Sequence, residues 1–107
     1  MIGHDLPIFT VFFARKLTGE IFNAALEKQF PDRDWILSRI LWLAGTEVGI
    51  NCGGDVDTKS RYIYIHGTND ERNIGTPNFR GCIRMKNRDV MDLFERVSEG
   101  EVVVVVM

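Results

Sequence analysis

A cysteine nucleophile asks three things of its surroundings: a base to make it thiolate, positive charge to hold the thiolate, and free backbone N–H groups for an oxyanion. The stretch from His66 to Arg84 can supply all three. Cys82 stands in RGCIRM, with Gly81 before it and Arg80 and Arg84 flanking it, sixteen positions after His66. His66 is the candidate base, the two arginines supply charge, and Gly81 permits a tight turn that points amides at a carbonyl oxygen. No acidic residue stands at a fixed spacing that would orient the imidazole, which leaves a backbone carbonyl as the candidate third partner. Taken alone, the spacing favours the plainer reading of a buried thiol and a hydrogen-bonded histidine at a strand end.

The other cysteine and histidine add little. Cys52 and His4 complete a set of two cysteines and two histidines, and none is spaced as CxxC, HxxH or HExxH. A metal site is therefore not expected, and nothing calls for a cofactor. Cys52 is expected in a loop without chemistry; a Cys52–Cys82 disulfide would consume the nucleophile. His4 has no supporting motif and is expected in a mobile amino end.

The elements that must position these groups read as mainly β with minor helical content. Residues 7–14 (PIFTVFFA) are apolar at odd and even positions, which suggests a strand covered on two faces. Residues 15–20 (RKLTGE) read as a turn around Gly19. Asn23 can cap a short helix over 24–30, which Pro31 stops. Residues 35–43 (WILSRILWL) fit a helical stripe and a doubly buried strand almost equally. The glycines and aspartates of 45–59 indicate a long exposed loop carrying Cys52. Residues 61–65 (RYIYI) form the clearest strand, delivering His66 and Gly67 at its end, with Tyr62 and Tyr64 packed on the sheet. A polar loop over 68–80 follows. Asn87 can cap a helix over 88–98 with Val90, Met91, Leu93, Phe94 and Val97 on one face, and residues 102–106, five valines, read as a buried strand. The loop between His66 and Cys82 then lies over one end of the sheet.

Size and charge narrow the function classes. The 107 residues suit one domain with one core, and 45% hydrophobic with 26% charged residues is the mix of a folding globule. Thirteen Lys and Arg against fifteen Asp and Glu leave a net charge of −2, so no basic field points to nucleic acid. The longest apolar run is too short to span a bilayer, and no signal peptide is expected at Met1.

The runs RYIYIHGTND, IGTP, RGCIRM and NRDVMDLFERV together resemble the catalytic domain of the L,D-transpeptidase family, the YkuD-like domain. The resemblance extends upstream through LPIFTVFFARKLTGEIF, RDWILSRILWL and GGDVDT, and so over almost the whole chain. It implies a β-sandwich or sheet domain, here a single partial domain over 1–107 that begins after the strands that normally open it. It implies Cys82 as the acyl-accepting nucleophile, His66 as its base, and the backbone amides of Gly81 and Cys82 as the oxyanion hole. Gly67 matches the glycine after the histidine, where a side chain would crowd the site, and Arg84 matches an arginine that shapes the site and helps dock a substrate carboxylate. Arg80 is expected as an exposed charge beside the thiol. The implied partners are a peptidoglycan stem peptide, an amine acyl acceptor and, as covalent inhibitor, a carbapenem; the implied location is the periplasm or cell envelope.

One residue departs from the pattern. Two positions before Gly81 the family usually carries Ser or Thr, and here stands Phe79, a ring with no hydrogen-bonding group at the substrate channel. Three readings follow from these residues: an L,D-transpeptidase, a degenerate inactive domain that binds cell-wall peptide, and an L,D-carboxypeptidase in which water replaces the amine.

Overall fold

A tight hairpin opens the sheet. β1 (Thr10–Phe13) and β2 (Lys16–Ile21) pair antiparallel with Phe13 opposite Lys16, so residues 14 and 15 form a two-residue connection. Ala14 adopts φ +52°, a conformation more often given to glycine at this kind of turn. The turn expected over 15–20 is therefore a strand. Its signal was masked because β2 is an exposed outer strand, where Lys16, Gly19 and Glu20 need no apolar alternation. The structure, a computed structural model, describes residues 1–47, 49–50, 52–54, 57, 59, 62–75 and 82–104.

The helix after the hairpin forms as its cap dictates. α1 (Ala24–Gln29) begins where the Asn23 side chain accepts the Leu26 N–H at 2.9 Å, and Pro31 follows its end. Beyond it, the ambiguous apolar run becomes β3 (Ile36–Trp42), with every residue from Ile36 to Leu41 buried. Periodicity could not decide this segment; its place at the centre of the sheet did, because a central strand loses both faces to neighbours.

β4 (Tyr64–Gly67) pairs antiparallel with β3, and β5 (Ile83–Met85) pairs parallel with β4, giving the order β2-β1-β3-β4-β5 in one mixed sheet. The strand expected over 61–65 thus runs later. Tyr62 takes φ +56° and its N–H closes a turn on the Lys59 carbonyl, so pairing starts at Tyr64 and takes in His66 and Gly67. Arg61 lies outside the described residues. β5 has no counterpart in the sequence reading, since three residues with an arginine at the centre carry too little pattern.

α2 (Asn87–Arg96) covers one face of the sheet, burying Val90 and Phe94 against Leu41 and Ile65. Asn87 does not cap this helix from outside. Lys86 holds the cap position without a side-chain bond, while Asn87 is the first helical residue and is turned inward at 1% exposure. The valine strand also fails where it is described: Val102, Val103 and Val104 are exposed and unpaired to any strand, and residues 105–107 lie outside the described residues. The amino end is docked rather than mobile. Ile2 exchanges both backbone hydrogen bonds with Ile40, at 2.8 and 3.0 Å, and the His4 ring stacks on Phe94.

The fold is mainly β, as the sequence led us to expect, and takes the form of a five-stranded mixed sheet with one main helix. Among the described residues the β elements make a single sheet.

Candidate active site

The pairing of β4 with β5 places the candidate residues. Ile65 stands beside Ile83, His66 beside Arg84 and Gly67 beside Met85. One step back along that register sets Cys82 beside Tyr64. Alternation then puts Tyr64, His66, Cys82 and Arg84 on one face, and Ile65, Gly67 and Met85 on the face toward α2. The packing agrees, since Cys82 touches the cluster of Phe12, Ile36, Ile40 and Tyr64, whereas Met85 joins Ile65, Val90 and Phe94. With strands about 4.8 Å apart and a rise of about 3.3 Å per residue, the His66 and Cys82 backbones are separated by about 8 Å.

His66 is 2% exposed, and its Nδ1–H donates to the Gly67 carbonyl at 2.6 Å. A carbonyl can only accept, so this bond fixes the neutral tautomer with its lone pair at Nε2. Burial lowers the His66 pKa from its usual value; the bond to Gly67 pulls the other way, and the nearby Arg84 charge adds to the lowering. The imidazole is held neutral, in the form that accepts a proton. Cys82 is half-buried, a free thiol that donates to the Tyr62 carbonyl at 3.6 Å.

Arg84, which the family resemblance placed at the site, forms an ion pair with Asp70 at 3.7 Å. Tyr64 is a core residue at 3% exposure, whereas Tyr62 is 51% exposed and meets the sheet through its ring contact with Trp42 of β3, 6.0 Å between centroids. Cys52 is a free, half-buried thiol. Phe79, Arg80 and Gly81 lie outside the described residues. Among the described residues, no group of three or more His, Cys, Asp or Glu could hold a metal ion.

Gly67 has a visible steric reason. A Cβ there would collide with the Asn87 Oδ1 and come within 2.7 Å of the Leu37 carbonyl. Asn87 sits so close because it joins three elements. Its Nδ2 donates to the Thr68 carbonyl at 2.7 Å and to Glu71 Oε1 at 2.9 Å, its Oδ1 accepts from Ser38 Oγ at 2.6 Å, and its backbone N–H also reaches Glu71 Oε1 at 2.9 Å. These bonds hold the Glu71 pKa below the usual carboxylate value. Ser38 meanwhile adopts φ +72° at an irregularity in β3, and its Oγ accepts the Phe9 N–H at 3.0 Å. The network therefore clamps the segment leaving His66 to both β3 and α2. Sequence reasoning missed it, although a lone serine inside WILSRILWL was a signal that a polar group in that strand needed a buried partner.

Over residues 13–105 the chain matches the L,D-transpeptidase catalytic domain. It belongs to that family. Its members are transferases that act on peptidoglycan peptides, which places the family at the cell wall. The YkuD protein of Bacillus licheniformis is 56% identical over 36 residues, covering 34% of this chain and 22% of the relative. The YqjB protein of Bacillus subtilis is 44% identical over 43 residues, 40% of this chain and 24% of the relative. Both are assigned by name to the L,D-transpeptidases. The matched stretches thus span under a quarter of these relatives' own lengths. No solved structure matches. None of the described helices of this L,D-transpeptidase domain is long and apolar enough to cross a membrane.

Proposed function

We propose that the protein is a peptidoglycan L,D-transpeptidase with Cys82 as nucleophile and His66 as base. The observation that carries this is the His66 tautomer: with Nδ1–H donated to the Gly67 carbonyl, Nε2 is free to accept a proton on the face that bears Cys82. His66 Nε2 takes the thiol proton, and the thiolate attacks the carbonyl of the L,D peptide bond in a tetrapeptide stem. Backbone amides of Gly81 and Cys82 receive the oxyanion. As the C–N bond breaks, the imidazolium returns its proton to the departing D-alanine amine, leaving a thioester on Cys82. An acceptor amine then attacks the thioester, gives its proton to His66 and releases the thiol. The reaction needs no cofactor, and the substrate assigns the protein to the periplasm or cell envelope.

The test is covalent capture. Incubation with a carbapenem should add one inhibitor mass to the chain and none to Cys82→Ala. D-Alanine should leave a tetrapeptide stem, and an added amine should appear in the product. Release without amine incorporation would instead identify a carboxypeptidase. A second reading, an inert domain that binds cell-wall peptide, is favoured by Phe79. Acylation gained by Phe79→Ser from an unreactive parent would select it, and equal acylation of both would dismiss it.

A further inference from the structure

The same two tyrosines hold the Cys82 thiol and the guanidinium of Arg15. Cys82 donates to the Tyr62 carbonyl at 3.6 Å and packs in the cluster that contains Tyr64. Arg15 Nη1 donates to the Tyr64 hydroxyl at 2.7 Å, and its guanidinium lies 4.4 Å from the Tyr62 ring centroid and 5.1 Å from that of Trp42. Arg15 belongs to the turn between β1 and β2, so its side chain crosses the sheet face to reach β4. Nothing in RKLTGE announced this, because the partners are 27 to 49 positions away.

The arrangement leaves binding capacity unused. A guanidinium carries five N–H donors in a planar fork, and the Tyr64 hydroxyl takes one of them. No described carboxylate forms an ion pair with Arg15. Arg84, the other arginine of this face, is already engaged by Asp70. The Tyr62 and Trp42 rings, themselves 6.0 Å apart, lie beside the Arg15 guanidinium and restrict its orientation, which leaves N–H donors for a planar anion. Lys59 adds positive charge, its Nζ 5.2 Å from the Trp42 ring.

We infer that Arg15 is the carboxylate receptor of the acyl-donor subsite: its open edge pairs with a carboxylate of the stem peptide and so sets the scissile carbonyl at Cys82. The substrate class rests on the function proposed above. The carboxylate assignment rests on the Arg15, Tyr62, Tyr64 and Trp42 geometry.

The test is a binding titration of a synthetic tetrapeptide stem, followed by tryptophan fluorescence on the 107-residue chain carrying Cys82→Ala. The same stem with its carboxylates amidated is the second probe. Adding Arg15→Gln should raise the Kd for the stem about 10- to 100-fold, the loss expected of a charge-assisted bidentate pair. The amidated stem should bind the Arg15 protein equally weakly and should be indifferent to Arg15→Gln. Arg15→Lys should fall between, since it keeps the charge and loses the fork. A purely fastening role for Arg15 would weaken both peptides alike, and that result overturns the proposal. Equal binding of stem and amidated stem to the Arg15 protein overturns it without any Arg15 variant, as does no binding of the stem up to about 1 mM. D-Alanine release by the chain with Cys82 intact is scored separately. Arg15-dependent binding without release would refute the transpeptidase reading and keep the carboxylate site; release with Arg15-independent binding would do the reverse.

Discussion

His66 is buried at 2% exposure, yet it is a ring that must exchange a proton. Burial and the neighbouring Arg84 charge both disfavour the imidazolium, and only the Gly67 carbonyl and the Asp34 carboxylate oppose them, so the folded pKa lies below the usual 6.5. Under the proposed mechanism the neutral ring is the active form. Activity should therefore hold from neutral pH down past 6.5 and be lost only as pH falls through the lowered folded value. An initial-rate profile of D-alanine release, or of Cys82 acylation, checks this; an acid limb centred above 6.5 would contradict the placement of His66. His66→Gln should cost about 10²- to 10⁴-fold in acylation rate, the usual range for loss of a general base. Gly67 acts at the same scale by lacking atoms. Because a Cβ would strike Asn87 and the Leu37 carbonyl, Gly67→Ala should destabilise the fold by about 1–3 kcal/mol, the range seen for overpacking, measurable by urea unfolding.

At the scale of elements, Asn87 joins β3, the segment after β4, and α2 through its bonds to Ser38, Thr68 and Glu71. Asn87→Ala removes three side-chain bonds and strands a buried serine hydroxyl and a carbonyl. At about 1 kcal/mol for each bond, and more for a buried group left unpaired, the expected loss is about 3 kcal/mol by denaturant unfolding. Asn87→Asp should not rescue it, since a carboxylate cannot donate to the Thr68 carbonyl or to Glu71. This network also shows why the elements were only partly legible. Asn23 and α1 could be read because a cap acts within four residues of chain, and the pattern across Val90 and Phe94 revealed α2. Asn87 has the same residue type as Asn23 and stands at a helix start, but its partners lie 16 to 49 positions away, and that distance no local pattern records. β2 and the valine run mislead in opposite directions. An exposed outer strand needs no apolar residues, and five valines make no strand unless a neighbour offers them an edge.

For the whole molecule, two groups whose pKa the fold lowers contribute to the response to acid, and they act in separate windows. The folded pKa of His66 is lowered, so between its unfolded value near 6.5 and the folded value the unfolded chain binds more protons. Its contribution to stability is complete above 6.5 and is lost as pH falls through that window. Glu71 is also lowered, chiefly by the Asn87 backbone N–H, so its contribution is complete above its usual 4.5 and is lost as pH falls below it. Urea unfolding across pH 7.5 to 3.5 should therefore show a level stability, a first decline beginning near 6.5 and a second beginning near 4.5. Each decline has its own variant. His66→Gln should flatten the first and leave the second. Glu71→Gln keeps an oxygen that can accept from Asn87 but no longer titrates, so it should flatten the second and leave the first. The sequence shows a histidine and a glutamate five residues apart and says nothing of either window, because one shift comes from the burial of His66 and the other from the Asn87 bonds to Glu71, which exist only once β4, the turn after it and α2 have assembled. A single smooth decline that both variants leave unchanged would mean that neither group is held as the structure shows.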